Sequence, residues 1–595
     1  LQAKVTKWHN SHGQTTTSQP INSRFTPDDS PSTAEKPKTM NRLAYESYKQ
    51  VTRKRTRDIL YGEEVPRNMR DADNMDSTWF QSEDKETGGI LDFETWERMD
   101  QSLVTPAIRK KALRAHRIYT IKRPPEKRKK NRLVAQGNRQ HPDTYTDTTS
   151  PVAALMEVRI FSTIINSRAY YACTGDSKNA YLHSKLKDLI FIVIPEGFPG
   201  QGEIAILRKA LYGTKQGARC YYDLFADTLK ALGLTQCPLS PCLWRYLTTN
   251  PTTNSTEACF ILFYSDDNLI GGEKHAWDEF KALLATKFDI TFQEVLEDFL
   301  GLDMNYNRDK GEFRISMRKF ADKFLDQMGI SKVKYAGKIR TPGLTNVKIV
   351  RGDDEPRAAK PDENYRKKTG SCNWLVAGLR YDINYSTKEC SRVADNPTLI
   401  AEQMMDRLLL YISQTRDAAL TSKRSRMLQY TPPPTRKKPG DADPEIYNMM
   451  KDYNLDDGVA QPDQQEMQQD YVYDGHQITL VIESDTDLGG QVETRQSTSG
   501  VIAYLDGEIV HWLAKTERMV FNGTTKAEYV GLTRANALGK HITVILEFFG
   551  NKMGREYLAY CDNQAAEHLA TQPNMCESGR AIDLRYHGIR QDYAD

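Results

Sequence analysis

Apolar and polar positions divide the chain of 595 residues into two patterned regions and two polar stretches. Residues 1–75 contain few apolar positions and predict a flexible basic linker rather than a packed domain. From residue 79 to about 430, apolar residues recur at the spacing of strands and helices. A proline-rich polar stretch follows to about residue 470, and a second patterned region begins near residue 471. The pattern predicts an α/β (α+β) multidomain protein.

Individual elements are most distinct where the period of apolar residues is regular. Helices are predicted over 217–233, 275–288, 316–329 and 525–549, and strands over 114–122, 132–137 and 169–176. Residues 79–99 also have helical spacing, which Gly88 and Gly89 are expected to break. Asp506 and Gly507 stand between two alternating runs and predict a two-residue β-hairpin turn.

Charge is uneven along the chain although the formal net charge is only +3 and the mean hydropathy is −0.65. Residues 109–139 carry 13 Lys and Arg against one acid, Glu126, which favours either contact with a polyanion or a solvated loop. The nine cysteines are scattered, and the Cys237–Cys242 spacing is poor for zinc, so structural thiols are predicted. No apolar run reaches the ~18 residues that predict a membrane span, so we expect no membrane partner.

Two adjacent aspartates follow an apolar run at residues 258–264, and a second short apolar run comes directly after them. Asp favours turns, which accounts for one acid at a hairpin tip but less well for both Asp266 and Asp267, because like charges repel. A bound divalent cation would offset the repulsion, and hard oxygen ligands suit Mg²⁺. Asp176 ends another apolar strand and supplies a third carboxylate. Three carboxylates on neighbouring strand ends can hold two metal ions for in-line phosphoryl transfer.

A second set of acids lies in the last patterned region. It consists of Asp485 at a strand end, Glu528 in the helix after the hairpin, Asp562 at the next strand end, and Asp583. Four carboxylates suit a second pair of magnesium ions. Asp487 lies two residues from Asp485 and would face the same side of a strand.

Several blocks of sequence carry a resemblance to a known family. The segment FYSDDNLIGG resembles the YxDD box of reverse transcriptases. Further blocks in family order are similar to the copia-type (Pseudoviridae) LTR-retrotransposon reverse transcriptase/ribonuclease H, a part of the Pol polyprotein; they are NRLVAQGNRQHPDTYTDTTSPV, GDSKNAYLHSKLKDLIFIVIPEGF, LRKALYGTKQGARCYYDLF, FLGLDM and YRKKTGSCNWLVAGLRYDINYS. The last region resembles the ribonuclease H of the same elements, where ESDTD matches a motif whose first aspartate, here Asp485, is catalytic.

The resemblance implies a right-hand polymerase of fingers, palm and thumb, followed by a connection and a ribonuclease H-like mixed-sheet domain. The implied division is 1–75 linker, 76–305 fingers and palm, 306–345 thumb, 346–470 connection with polar linker, and 471–595 ribonuclease H. Asp176, Asp266, Asp267, Asp485, Glu528, Asp562 and Asp583 are then the catalytic and metal-binding residues of the two sites.

Nucleotide-binding and nucleic-acid-binding residues also follow from the resemblance. The nucleotide-binding set is Lys122, Arg132, Tyr181, Tyr212, Gly213 and Gln216. Tyr181 matches an aromatic steric gate against ribonucleotides. The implied nucleic-acid-binding set is Lys127, Arg128, Lys129, Lys130, Arg318, Lys319 and Lys323. The chain departs from the family where it has KQGAR instead of the usual KQAPR, which affects the backbone after Gln216, and where Lys526 replaces an acid.

The implied activity is RNA-directed and DNA-directed DNA synthesis from dNTPs, with cleavage of the RNA strand of RNA/DNA hybrids. Mg²⁺, two ions per site, is the expected cofactor, with Mn²⁺ as a substitute. Expected partners are the RNA template, a DNA primer or a tRNA primer, the hybrid, an integrase upstream in the polyprotein, and a second copy in a homodimer. The implied location is cytoplasmic, within virus-like particles, with nuclear entry of the cDNA complex. Two alternatives stay open: an active polymerase with a structural or silent C-terminal domain, and a domesticated nucleic-acid-binding remnant.

Overall fold

The computed structural model describes residues 59–60, 63–75, 77–121, 128–330, 337–344, 347–352, 355–357, 362–434, 471–552 and 557–571. Helices and strands are mixed throughout, which confirms the predicted α/β class. Most of the predicted N-terminal linker, and residues 435–470 of the predicted polar linker, lie outside the described residues. Within those ranges no helix combines the length and the apolarity needed to cross a bilayer.

The first described region contains a hairpin supported by a helix. Its elements are β1 (Ile59–Leu60), β2 (Glu63–Glu64), α1 (Met69–Asp73), α2 (Ser77–Asp92), β3 (Trp96–Arg98), α3 (Pro106–Lys111), β4 (Ala115–Ile121) and β5 (Lys129–Ala135). β4 and β5 pair in antiparallel fashion, as predicted, and α2 packs against β5. The predicted break at Gly88 and Gly89 is wrong, because α2 continues through both. Burial of Trp79 and Ile90 on one face of α2 offsets the helical cost of about 1 kcal/mol for each glycine.

The second region forms the sheet that carries the Asp266–Asp267 hairpin. Its elements are α4 (Leu155–Ser167), β6 (Tyr171–Ser177), α5 (Ala180–His183), β7 (Lys185–Val193), β8 (Ile204–Lys209), α6 (Gly217–Ala231), β9 (Thr235–Gln236), β10 (Leu243–Thr249), β11 (Thr256–Tyr264), β12 (Asp267–Gly272), α7 (Lys274–Ala285) and β13 (Ile290–Gln293). Six strands pair in the order β13-β6-β12-β11-β10-β9, all antiparallel. We call this the palm sheet. β3, β8 and β7 form a separate three-stranded sheet.

Both faces of the palm sheet carry buried apolar residues. Neighbouring residues of a strand point to opposite sides, so alternate residues of β11 belong to different clusters. Ile261 and Phe263 belong to a cluster with the residues of α6 and α7. Phe260 and Leu262 belong to another cluster, which includes Phe161 of α4. We call the side of Phe260 the rear face of the palm sheet.

In the third region, the last strand pairs with a sheet formed by strands at the start of the region. Its elements are β14 (Asp298–Phe299), β15 (Leu302–Asn307), β16 (Glu312–Ser316), α8 (Arg318–Gln327), α9 (Tyr365–Gly378), α10 (Asn384–Ser391), α11 (Leu399–Gln414), β17 (Ala419–Lys423) and α12 (Arg424–Met427). The sheet order is β14-β15-β16-β17. β17 therefore joins strands that precede it by about a hundred residues, across the predicted thumb and connection boundary at residue 345. The domain boundaries themselves stay predictions.

The last region is a four-stranded mixed sheet with a long helix. Its elements are β18 (Leu480–Thr486), β19 (Thr498–Leu505), β20 (Glu508–Thr516), α13 (Thr524–Phe548), β21 (Leu558–Cys561) and α14 (Gln564–Thr571). The order is β20-β19-β18-β21, with β21 parallel to β18 and the other pairs antiparallel. Asp506 and Gly507 connect β19 to β20 with φ of 48° and 81°, so the predicted hairpin turn is confirmed.

One apolar core continues from the palm sheet into the last region. It includes Phe161 and Phe260, Leu408 of α11, Ile482 of β18 and Phe549 after α13. We call residues 155–293 the palm region and the described residues from 471 onward the C-terminal region. The regions that the sequence separates are therefore packed into a single body over the described residues.

Candidate active sites

The palm acids meet at the end of β6 and at the β11–β12 turn. Tyr264 pairs with Asp267, so that Ser265 and Asp266 form the turn, with a φ of 55° at Ser265. Asp267 lies directly opposite Asp176 in the antiparallel ladder. The amide N of Ser177 donates to the carbonyl O of Asp266 over 3.1 Å. The register therefore brings all three predicted palm acids to one edge of the sheet.

The charges of this edge act on Asp267 in particular. Burial raises the pKa of its carboxyl to about 7, with further contributions from the charges of Asp266, Asp176 and Asp298, while Arg132 opposes them. The exposed Asp298, at the start of β14, is an acid that sequence reasoning missed; only its fold across from β12 brings it near. A carboxylate that resists ionisation among other acids fits a site that a cation completes.

Tyr181 and Arg132 stand beside the turn. The hydroxyl of Tyr181 lies 3.0 Å from Oγ of Ser265, and its ring meets that of Tyr212 edge-on with centroids 4.5 Å apart. The guanidinium of Arg132 lies 4.7 Å from the Tyr212 centroid, and its Nη2 is 3.9 Å from Oδ2 of Asp266. Two rings and one cation therefore line the approach to the acids, an arrangement that suits a sugar and a phosphate group.

Gly213 joins the palm to the β4–β5 hairpin at close range. Its φ is +88°, and a Cβ there would stand 2.2 Å from the carbonyl O of Ala135. The amide N of Ala135 donates to the carbonyl O of Tyr212 over 2.7 Å. Only glycine fits this combination of positive φ and backbone contact.

Gln216 is buried, and its amide group is fully engaged by the protein. It donates to the carbonyl O of Thr144 over 3.0 Å and to Oδ2 of Asp188 over 3.0 Å, and it accepts from Gln140 over 2.8 Å. These bonds give Gln216 a positioning role at the start of α6. The helix begins at Gly217, so the absent proline of the KQGAR segment does not prevent it from forming.

The cations predicted to contact nucleic acid have different surroundings. Lys122 and Lys127 lie outside the described residues. Arg128 is exposed, Lys129 has its Nζ 5.2 Å from the centroid of Trp79, and Lys130 is half-buried on β5.

On α8, two of the three predicted cations are paired with acids of the same region. Arg318 forms an ion pair with Asp417, and Nζ of Lys319 lies 3.0 Å from Oδ1 of Asp303. Lys323 is exposed. These two ion pairs are exposed and therefore contribute little to stability, so Arg318 and Lys319 can exchange their acids for another anionic partner.

A second acid cluster forms at one edge of the last sheet. Because β18 and β21 are parallel neighbours, their carboxyl ends meet, and this places Asp485 beside Asp562. Glu528 reaches them from the second turn of α13, and ligand atoms of the three residues lie within 4.8 Å of one another. Among the described residues, this is the set of three acids that meets that distance; the palm acids are adjacent but less tightly gathered.

The surroundings of Glu528 in this cluster raise the pKa of its carboxyl group. Its side chain is buried, and it accepts a hydrogen bond from the amide N of Thr486 over 3.1 Å. Burial, followed by the charges of Asp485 and Asp562, raises the pKa of Glu528 to about 7. The donor set is oxygen only, as Mg²⁺ prefers.

The last region also contains Asp583 and Asp487. Asp583 lies outside the described residues. Asp487 accepts a hydrogen bond from the amide N of Thr498 over 2.5 Å and is not a member of the cluster. The geometry therefore places Asp485 of β18, and not Asp487 after it, in the acid cluster.

Comparison with known proteins gives consistent matches. Residues 94–341 match the family described as "Reverse transcriptase (RNA-dependent DNA polymerase)". The chain is 26% identical over 472 residues to the "Retrovirus-related Pol polyprotein from transposon RE2" of Arabidopsis thaliana, covering 78% of this chain and 28% of that protein. It is 25% identical over 480 residues to the "Retrovirus-related Pol polyprotein from transposon TNT 1-94" of Nicotiana tabacum, covering 78% and 31%. The chain thus spans less than a third of the length of these relatives.

Among solved structures, the crystal structure of the Prototype Foamy Virus Protease-Reverse Transcriptase covers 94% of this chain and 59% of its own, with 12% identity and a TM-score of 0.24. The family match spans the palm acids, and both Pol relatives extend over 78% of the chain. Residues 94–341 match the reverse transcriptase family, and the chain is similar to Pol polyproteins of copia-type transposons over 78% of its length.

Proposed function

We propose that this chain extends the 3′ end of a primer with dNTPs on RNA and DNA templates, at a site of two divalent cations held by Asp176, Asp266 and Asp267. The observation that carries the proposal is the pairing of Asp176 with Asp267 directly below the Ser265–Asp266 turn. Mg²⁺ is the proposed ion, and Mn²⁺ a substitute, because the donors are carboxylate oxygens.

The residues of the palm edge would each do a separate task. When bound, the cations supply Lewis-acid chemistry to the attacking hydroxyl and the transferred phosphoryl group. Arg132 donates to the triphosphate, for which its position 3.9 Å from Asp266 is suitable. The ring of Tyr181 occupies the space of a ribose 2′-hydroxyl, and its bond to Ser265 holds the ring at the turn.

Primer extension on a labelled RNA template with Mg²⁺ tests this proposal. Asp266→Asn should abolish extension while leaving binding of a primed template nearly intact. Asp289→Asn is the matched control, because Asp289 is an exposed acid that pairs with Lys178 at the same end of the sheet. Extension that survives in Asp266→Asn, or is lost equally in Asp289→Asn, contradicts the assignment.

We also propose that the C-terminal region cleaves the RNA strand of RNA/DNA hybrids, with a cation pair held by Asp485, Glu528 and Asp562 together with Asp583. The approach of three acids to within 4.8 Å supports this second activity over a purely structural role for the region. Their carboxylates would hold the cations, and the Thr486 amide would hold Glu528 in place.

Loss of labelled RNA from a hybrid measures the second activity separately. Glu528→Gln should stop RNA cleavage and spare primer extension. Glu483→Gln is a suitable control, because Glu483 is an exposed acid on the same strand as Asp485 but outside the cluster. A wild-type chain that extends primers and leaves hybrid RNA intact would support the structural alternative.

The proposed partners follow from these activities and from the polyprotein relatives. They are the RNA template, the primer, the RNA/DNA hybrid, an integrase encoded upstream, and a second copy of the chain. We propose action in cytoplasmic virus-like particles, followed by nuclear entry of the cDNA complex.

A further inference from the structure

Three buried arginines of the palm region lie outside both candidate sites. Arg159 is on α4, Arg168 follows α4, and Arg245 is on β10; their residues are 4%, 7% and 6% exposed. A buried guanidinium is costly unless its donors and its charge are matched. The groups that these three arginines contact therefore indicate what the burial is for.

Each of the three arginines donates to a main-chain carbonyl of the C-terminal region. Arg159 Nε donates to the carbonyl O of Val510 over 2.6 Å. Arg168 Nη1 donates to that of Phe549, and Arg245 Nη1 to that of Phe548 over 3.1 Å. The bonds link residues more than 300 positions apart in the chain.

The same arginines also stack on aromatic rings of the C-terminal region. The guanidinium carbons lie 4.2 Å from the Trp512 centroid for Arg159, 4.0 Å from that of Tyr473 for Arg168, and 5.0 Å from that of Phe548 for Arg245. Cation–π contact is strongest when the cation is removed from water, as these are.

Two of the accepting carbonyls are at the end of a helix. Phe548 is the last residue of α13 and Phe549 follows it, where carbonyl groups have no partner within the helix and carry a partial negative charge. Arg168 and Arg245 supply both the missing donors and a positive charge. The palm region therefore supplies hydrogen-bond donors to two carbonyls at the end of α13.

Apolar contacts surround this end of the helix. The Phe549 ring lies 4.6 Å from that of Phe260 on the rear face of the palm sheet and 5.3 Å from that of Phe161. The Tyr471 hydroxyl donates to Glu273 over 3.2 Å. Separation of the two regions would expose these rings and leave charged groups without partners, which makes a loose arrangement costly.

We propose that Arg159, Arg168 and Arg245 are positioning residues that dock the C-terminal region at one place on the rear face of the palm sheet, and so fix the distance along a bound duplex between polymerisation and RNA cleavage. The functional half of this proposal rests on the two proposed activities. The docking half depends only on the contacts of the three arginines.

The distance from the primer 3′ end to the RNA cuts tests the functional half. With a recessed primer, end-labelled RNA, Mg²⁺ and no dNTPs, the wild-type chain should cut within a narrow group of adjacent nucleotides. In Arg168→Ala/Arg245→Ala this group should be lost and the cuts should spread along the hybrid. Primer extension, and total cleavage of a long hybrid without a recessed end, should be retained.

Arg308→Ala is the matched control for this measurement. Arg308 also donates to a carbonyl, that of Ala169 over 2.7 Å, and lies 4.0 Å from the Tyr171 centroid, but both partners belong to the palm region. The Arg308→Ala variant should cut the RNA at the same adjacent nucleotides as wild type. The functional half is overturned if the RNA cuts spread as widely in Arg308→Ala as in the double variant. It is also overturned if a well-folded double variant cuts the RNA at the same nucleotides as wild type.

Association of the two regions after a cut in the linker tests docking without any catalytic readout. A protease site placed among residues 435–470 allows the linker to be cleaved, and the two pieces of the wild-type chain should elute together in size-exclusion chromatography. The pieces of Arg168→Lys/Arg245→Lys, which keeps the charge but loses the planar guanidinium groups over Tyr473 and Phe548, should separate more readily in salt. Wild-type pieces that separate at once overturn the docking, whether or not either activity is found. If Arg168→Ala/Arg245→Ala does not fold, Trp512→Leu removes the ring below Arg159 and should spread the cuts in the same way.

Discussion

Glu528→Gln should stabilise the chain when divalent cations are removed, although it is expected to destroy RNA cleavage. The wild-type carboxyl is buried beside Asp485 and Asp562, which together with burial raises its pKa to about 7 from an ordinary value of 4.5. Between these values the folded chain holds a proton that the unfolded chain has released. The free energy of unfolding therefore falls as pH rises from about 4.5 to about 7, and the penalty is complete above that range.

The size of the effect follows from the difference between the two pKa values. That difference corresponds to about 3 kcal/mol of destabilisation at about pH 8. Because Asp485 and Asp562 are exposed, solvent screens part of their charge. We therefore expect Glu528→Gln to raise the free energy of unfolding by about 1–3 kcal/mol. The glutamine oxygen can still accept the hydrogen bond from Thr486, so that little is lost in exchange.

Urea unfolding followed by circular dichroism measures the gain, with EDTA or Mg²⁺ at about pH 8 and about pH 4.5. Without metal, Glu528→Gln should unfold at higher urea than wild type at the upper pH, and the difference should shrink at the lower pH. Mg²⁺ should stabilise wild type more than the variant, because only wild type keeps the full set of carboxylates. Glu483→Gln should match wild type under all conditions. A variant that is less stable than wild type in EDTA at the upper pH would refute the electrostatic reasoning.

Two further substitutions test the palm site and its junction with the β4–β5 hairpin. Tyr181→Ala should let ribonucleotides compete with dNTPs in primer extension, whereas Tyr181→Phe, which loses only the bond to Ser265, should keep the selectivity; equal discrimination by wild type and the alanine variant would count against the gate. Gly213→Ala should lower the urea midpoint by the equivalent of about 2 kcal/mol or more, because it combines a positive φ with a Cβ position 2.2 Å from the carbonyl of Ala135. Gly202→Ala separates these causes, since Gly202 has a φ of +84° but open space around its Cβ; similar losses for the two variants would show that the contact is unimportant.

Local features of the sequence were sufficient for much of the fold. The Asp506–Gly507 turn was predictable because a two-residue hairpin needs positive φ at both positions. The palm acids were predictable because the apolar runs fixed both strands and their ends. In contrast, α2 passes through Gly88 and Gly89 because packing of Trp79 outweighs the local preference of glycine.

Features that depend on distant contacts could not be read from the sequence. In α4 the polar residues Arg159 and Asn166 are buried, because the helix is covered on several sides at once. Nothing near β16 in the chain indicates that β17 will pair with it. Asp298 likewise joins the palm acids only through the fold. Long-range pairing and packing, rather than local propensity, decided these outcomes.

The return of β17 to the sheet of β14–β16 has a practical consequence for work with shorter pieces of this protein. An expression fragment limited to residues 94–341, the range of the family match, would end before β17 and leave an edge of β16 open. It would also uncover the apolar side chains of Phe161 and Phe260, which α13 and its end now shield. Such a fragment should form inclusion bodies or bind chaperones, because unpaired edge strands beside exposed apolar patches pair with other chains.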